Sequence, residues 1–323
     1  MQIEPIGKQG DFFETIRWFP SERKLMEIEK YLSTSDFAEE YIYVSKSALP
    51  GRYRNNNNPP LIGIMNISDR KGVFKKTKFK VTVKGVQQGV TLAEQIVTAR
   101  KAEKSSQSAL VAMETQQKVG RTNEHRFQPL LRDSPRLADL ISNNPDDTSK
   151  FNIVLKNNFN FIFGWSGSRS TLSSDPCEHL QIDEVDQWKS VVNLEDLKDR
   201  LSTYDETGTA SIFSTPGLDG GPIIQEFNAC DAQMDFHVEC PDCGEIQIMH
   251  FEHFIWPFTE QIAKADDAEK MRIANTIERE KLARYACDGC GVLWDDHKRN
   301  KAVRLGTNHF FHGWKMRKEI VLP

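Results

Sequence analysis

From residue 79 onward, short apolar runs alternate with longer amphipathic stretches. FKVTVKG alternates and is rich in β-branched residues, which predicts a strand. TLAEQIVTARKAEKS, just past a glycine turn, has the spacing of a helix. SALVAMET (108–115) predicts a second, buried strand, and residues 116–141 read as helix with a proline break. FNIVLKN and FNFIFGWSG predict two short strands or a hairpin joined through an Asn-Asn pair. CEHLQIDEVDQW (177–188) reads as strand then acidic turn, and LEDLKDRLSTY as helix. TASIFSTPGLDGG (209–221) is a strand entering a turn rich in Ser, Thr, Pro and Gly. Strands alternating with helices predict an α/β fold, a largely parallel sheet with helices on both faces.

The flanks differ. ETIRWFPSERKLMEIEKYLSTSDFAEEYI has helical spacing to about residue 41, whereas GRYRNNNNPP (51–60) predicts a loop. After residue 230, two cysteine pairs bracket residues 244–286, whose second half, DDAEKMRIANTIEREKLARYA, is a charged amphipathic helix. The expected organisation is a lead-in over 1–60, an α/β core over 61–229, a cysteine module over 230–300 and a C-terminal segment over 301–323.

Composition narrows the class. The 323 residues are 38% hydrophobic and 27% charged, with a mean hydropathy of -0.54, which suits a globular protein and argues against a membrane span. The N-terminus lacks the basic-then-apolar order of a signal peptide, so an intracellular protein is expected. A net charge of -4 disfavours global attraction to nucleic acid. KGVFKKTKFK (71–80) is a local basic run that reads equally as a solvated strand edge or a contact patch. In a reducing compartment, Cys240-Pro-Asp-Cys243-Gly and Cys287-Asp-Gly-Cys290-Gly read as a closed tetrahedral Zn²⁺ site of structural role.

Three stretches carry candidate chemistry. In KFKVTVKGVQQGVTLAEQ (78–95), a strand, a glycine-bearing turn and a helix opening follow one another, the layout of a phosphate-binding loop. Gly89 and Thr91 occupy the close-approach and hydroxyl positions of the usual pattern. Val90 stands where the lysine usually is, and Lys84 at the strand end is able to supply the charge from the other side. Gln87 and Gln88 lie in the loop, where phosphate contact and loop packing are equally open. A plain strand–turn–helix is the competing reading. HLQIDEVD places Asp183-Glu184 at a strand end, the arrangement that sets a Mg²⁺ ligand beside a group activating water, since metal and nucleophile flank one phosphate. Asp186 is expected to cap or solvate that turn. Some 30 residues on, Ser214-Thr215 ends another strand and matches the γ-phosphate-sensing coupling motif of helicase-like ATPases. The order of the three favours nucleotide hydrolysis over any one stretch alone.

SALPGRYR, KGVQQGVT, VAMETQQKVGRTNEHRFQPLLRDSPRL, FGWSGSRSTLSS, HLQIDEVDQW, IFSTPGLDGGPI, VECPDCGEIQIMHFEHFIW and YACDGCGVLWDDHK together resemble the large terminase subunit of tailed bacteriophages, in its gpA (lambda-like) branch. The resemblance runs from about residue 47 to 297. It implies a P-loop NTPase core of the RecA-like, additional-strand type with an inserted four-cysteine zinc ribbon. It further implies an ATP- and Mg²⁺-dependent motor acting in the host cell cytoplasm, driving double-stranded DNA into a procapsid. The partners it implies are a small terminase subunit, the portal and further copies of the chain in a ring. By it, Lys84, Gly85, Gln87, Gln88, Gly89, Val90 and Thr91 form a deviant Walker A loop, Asp183 and Glu184 are Walker B and the catalytic glutamate, and Ser214 and Thr215 are the coupling motif. Arg126, Arg132 and Arg169 are candidates for an arginine contacting the γ-phosphate, Arg169 foremost because its Gly/Ser loop precedes the acidic strand. The nuclease domain usual in such proteins is expected to be absent from these residues. A two-core helicase is disfavoured by length. A binding module with a degenerate loop is the rival, favoured by Val90 and opposed by the intact acidic pair.

Overall fold

The computed structural model describes residues 32–317 apart from positions 48, 174, 190–193 and 218. Most of the helical stretch expected before residue 41 lies outside the described residues. Its described end is α1 (Thr34–Tyr41), capped by the Ser33 hydroxyl. Next come α2 (Pro60–Ile67), β1 (Phe79–Val83), α3 (Val90–Lys104), β2 (Ser108–Met113) and α4 (Gln116–Thr122). Then follow β3 (Asn152–Val154), β4 (Asn160–Trp165), β5 (His179–Asp183), β6 (Thr209–Ser214) and α5 (Pro222–Asn228). Every strand expected between 79 and 214 is present.

These strands make one six-stranded sheet in the order β1-β6-β5-β2-β4-β3. All pairs are parallel except β3–β4, the expected hairpin. Every residue of β5 and β6 is buried, as strands covered on both faces must be. The two faces differ in chemistry. One is apolar: Leu110, Ala112, Leu180, Ile182, Ala210 and Ile212 pack against Leu172, Leu197, Leu201 and Ile223. The opposite face, under α3, carries buried His179, Gln181, Asp183, Thr209, Ser211 and Lys80. The register sets Lys80, Ser211 and Gln181 side by side across β1, β6 and β5.

Helix α3 answers that polar face in kind. Glu94, Gln95 and Thr98 are buried on it. Glu94 pairs with Lys80 at 2.9 Å. The Lys80 ammonium also donates to Ile64 O and to Ser68 Oγ, at the C-terminal end of α2. Thr98 Oγ1 lies 2.9 Å from both Glu94 O and Gln181 Oε1. A hydroxyl has one proton, so both contacts are satisfied only when the Gln181 amide presents its nitrogen to that oxygen.

Past residue 233 lie β7 (Met234–Glu239), β8 (Ile246–Ile248), β9 (Phe254–Ile255), α6 (Asp267–Arg279), β10 (Arg284–Ala286), β11 (Leu293–Trp294), α7 (Asp296–Gly306) and β12 (Trp314–Met316). They form two small antiparallel sheets, β8-β7-β12 and β9-β10-β11. Strand β12 brings Trp314 onto α2. Its indole donates to Pro60 O at 2.8 Å, and a Cβ added at Gly63 would stand 2.2 Å from Trp314 Cδ1. Among the described residues, no helix is long and apolar enough to cross a membrane.

Candidate nucleotide site

In a parallel sheet all C-terminal strand ends share one edge. Here β1, β6 and β5 are neighbours, so Lys84, Ser214-Thr215 and Asp183-Glu184, far apart in sequence, meet there. Val83 is paired with Ser214, and Phe213 with Asp183. The Lys84 amide extends the ladder, donating to Ser214 O at 3.1 Å.

The 84–89 turn joins β1 to α3. Gln87 and Gly89 both have left-handed backbone, φ 57° and 76°, which glycine adopts without the Cβ clash that Gln87 bears. Gly89 caps α3, and Thr91 lies half-buried in its first turn. Amides at the start of a fifteen-residue helix favour an anion there. The Lys84 side chain is 8% exposed and its Nζ pairs with Glu184 Oε1, 6.0 Å from the Phe213 ring centroid. The lysine therefore crosses the strand ends toward the acidic pair rather than pointing to solvent.

Asp183 and Glu184 are adjacent but differently treated. Asp183 is 3% exposed and its Oδ1 has no hydrogen-bond partner. Burial pushes its pKa up to about 6, opposed by the Lys84 charge and reinforced by Glu184. An orphaned, buried carboxylate oxygen at this edge fits a cation ligand. Glu184 has left-handed backbone. Its Oε2 accepts from the Thr215 amide at 3.2 Å and the Ser214 hydroxyl at 3.4 Å. Burial alone would raise the Glu184 pKa, but the hydrogen bonds from Lys84 and the Thr215 amide hold it below the ordinary value. One acid is thus kept ionised and connected to the other two motifs, while its neighbour is left unpaired on one oxygen.

The Asp186 side chain, expected to cap or solvate its own turn, reaches instead to the segment after β6. It accepts from Gly217 N at 2.9 Å and Ile223 N at 2.8 Å, while its own amide donates to Ser214 Oγ at 3.2 Å. The acidic turn thereby grips the loop between β6 and α5. Trp188 braces it from below, donating to Asp183 O at 3.0 Å.

The cysteine pairs occupy the tips of two matched hairpins, β7–β8 and β10–β11. Gly244 and Gly291 follow the second cysteine of each, with φ 77° and 71°, and their amides return to Cys240 O and Cys287 O. The four sulfurs lie within 4.8 Å of one another, with Cys240–Cys290 at 3.9 Å and Cys243–Cys287 at 3.8 Å. Tetrahedral zinc with Zn–S of about 2.3 Å needs sulfurs about 3.8 Å apart, so the cluster is compatible with a zinc ribbon. Among the described residues no histidine joins it; His253 pairs instead with Asp288.

The family model for the phage terminase large subunit gpA, ATPase domain, matches residues 47–314. The chain belongs to this family. No curated protein matches it. Among solved structures, the HK97 bacteriophage large terminase shares the fold: it is 13% identical with a TM-score of 0.51, covering 76% of this chain and 51% of that one. The Thermus phage P74-26 large terminase ATPase domain is 15% identical with a TM-score of 0.37, covering 47% of this chain and 64% of that one. The chain thus spans less than two thirds of either.

Within this terminase ATPase domain the three candidate arginines are spread out. Arg126 follows α4 in a π-helical turn, exposed, and its charge contributes to lowering the pKa at Asp183. Arg169 is exposed at the start of a short helix after β4, two strands from β5. Arg132 is exposed as well. Sequence reasoning passed over Asn58, which touches the loop directly: its Nδ2 donates to Gln88 O at 2.6 Å. The only signal was its place in an asparagine run just ahead of Pro59-Pro60.

Proposed function

We propose that this terminase ATPase domain is a P-loop motor that hydrolyses ATP and drives double-stranded DNA into a procapsid. The observation that carries the reading is the meeting of Lys84, Asp183-Glu184 and Ser214-Thr215 on three neighbouring parallel strand ends. Lys84 and the amides of Gly85, Gln87, Gln88, Gly89 and Val90 hold the phosphates. Thr91 and Asp183 would hold Mg²⁺, which would supply neutralisation of phosphate charge when bound. Glu184, kept ionised, takes the proton of the attacking water. Ser214 and Thr215 bond the same carboxylate, so loss of the γ-phosphate is felt along β6 and, through Asp186, in the loop before α5. An arginine, Arg169 or Arg126 in cis or one from a neighbouring copy, completes charge stabilisation. The zinc held by Cys240, Cys243, Cys287 and Cys290 is structural. The setting is the host cell cytoplasm, with the small subunit, the portal and a ring of copies as partners.

The test is Mg²⁺-dependent ATP turnover with and without double-stranded DNA. The expected result is turnover stimulated by DNA and lowered by roughly 10²–10³-fold in Lys84→Ala, a loss typical of removing a transition-state charge contact. A folded Lys84→Ala variant with unchanged turnover would sink the lysine's role. Wild type unable to bind or turn over ATP even in a reconstituted ring favours the binding module, for which Val90 at the usual lysine position speaks.

A further inference from the structure

Asn58 lies in the strap before α2, outside every motif named above. Its surroundings fix it in place. Its amide donates to Asn55 O and its carbonyl accepts from Leu61 N. Asn55 in turn is buried and donates to Ser35 O and Glu39 Oε2 on α1. The asparagine run is therefore anchored at its first residue and reaches the loop with its last.

The contact with the loop has a direction. In a trans peptide the C=O and the following N–H point to opposite sides. The side-chain amide of Asn58 takes the Gln88 carbonyl on the α2 side of the loop. The N–H of the same peptide, that of Gly89, then points away from Asn58. Two further facts constrain position 89. Gly89 has φ 76°, and a Cβ there would lie 3.2 Å from Leu61 Cδ1 and 3.5 Å from Asn58 Nδ2. A side chain at position 89 would therefore be strained by its backbone and would press on Leu61 by a few tenths of an ångström.

We propose that Asn58 is a positioning residue for the phosphate site: by holding the Gln88 carbonyl outward it aims the Gly89 amide at the phosphates of a bound nucleoside di- or triphosphate. This rests on reading the 84–89 turn as the nucleotide loop. Its donor comes from the strap before α2, so the phosphate cradle is built partly from a segment that the loop's own sequence does not contain. Asn58→Asp is the sharpest variant, because it keeps the shape while replacing the donor by a carboxylate facing a carbonyl. Asn58→Ala removes the donor without that repulsion.

The experiment measures binding of a fluorescent ADP analogue with Mg²⁺ to the full chain, for wild type, Asn58→Ala, Asn58→Asp and Lys84→Ala, beside thermal midpoints without nucleotide. The expected result is a roughly 2- to 12-fold rise in Kd for Asn58→Ala, the range for the net loss of one solvent-exposed hydrogen bond, and a larger rise for Asn58→Asp, with midpoints close to wild type. A purely structural role would lower the midpoint and leave the Kd of the folded fraction unchanged. That result overturns the proposal, as does unchanged Kd in both Asn58 variants while Lys84→Ala weakens binding. If wild type itself does not bind the analogue, the loop reading fails and this proposal falls with it.

Discussion

On the proposed reading, Asp183 would meet opposite demands in the free protein and in a Mg²⁺-bound one. Its pKa of about 6, against an ordinary 3.8, means the folded state holds the proton more tightly than the unfolded state does. Below about pH 4 both states are protonated and there is no penalty. Between about 4 and 6 stability falls as pH rises, and above 6 the full cost remains, about 3 kcal/mol from the size of the shift. Asp183→Asn should therefore raise the urea midpoint of the metal-free protein at pH 7.5, leave it nearly unchanged at pH 4, and abolish Mg²⁺-dependent turnover. A midpoint that falls at pH 7.5 would count against a strained carboxylate. Glu184 works the other way: its lowered pKa stabilises the fold above the ordinary carboxylate value, and that contribution is lost on acidification. Glu184→Gln should keep nucleotide binding while lowering turnover by at least about a hundredfold, measured as a kcat loss without a matching change in Kd. The DEVD run shows the two acids side by side in sequence. Their different environments were not legible there, because they depend on Lys84 and Thr215 arriving from two other strands.

At the scale of elements, α3 sits on a polar floor. Lys80 and Glu94 tie it to β1 four residues before Lys84 and three after Thr91, both nearly or wholly out of water. Removing one partner of such a pair leaves a bare buried charge, so Lys80→Met should cost about 3–5 kcal/mol in urea unfolding. Lys80→Met with Glu94→Leu should recover most of it, and a double variant as unstable as the single would show that the ion pair itself stabilises. The strands were readable because β-branched and aromatic residues cluster between turn formers, as in FKVTVKG and TASIFS. The polar floor was not, since Lys80, Gln181 and Ser211 look like the solvent side of half-exposed strands until the register places them together under one helix. In the same way, KGVFKKTKFK reads as a basic surface run, yet its last lysine is buried against Glu94 and its fourth, Lys78, pairs with Asp205.

Over the whole molecule, the cysteine module was legible as chemistry and not as connection. Two C-x-x-C-G knuckles announce four thiolates meeting, and the left-handed glycines follow from the tight turns. That β12 would return to pair with β7, Trp314 opposite Phe236, was beyond reach, because strand partners so far apart in the chain leave no local trace. Zinc analysis of the purified protein should give one ion per chain. Stripping it with a strong chelator, or Cys287→Ser, should lose the near-ultraviolet signal of Trp294 and Tyr285, whose rings stack 5.0 Å apart at the base of the module, because structural zinc and folding free energy are the same quantity in such sites. An intact signal after complete metal loss would make the module self-supporting.

The indole of Trp314 bonded to Pro60 O gives the two sites a shared strut. Helix α2 bears the module at its first turn, is held by Lys80 at its last, and continues backward into Asn58 at the loop. Two ligands that stiffen one strut are thermodynamically linked, and linkage is reciprocal. Nucleotide at the loop should then raise the equilibrium affinity for zinc, read by competition with a chelator, and loss of zinc should weaken nucleotide, each by the same factor. Breaking the strut with Trp314→Ala should reduce that factor to one while leaving either ligand able to bind alone. The domain would in that case also behave as a metal-gated receptor, with the ribbon's occupancy written into its affinity for nucleotide.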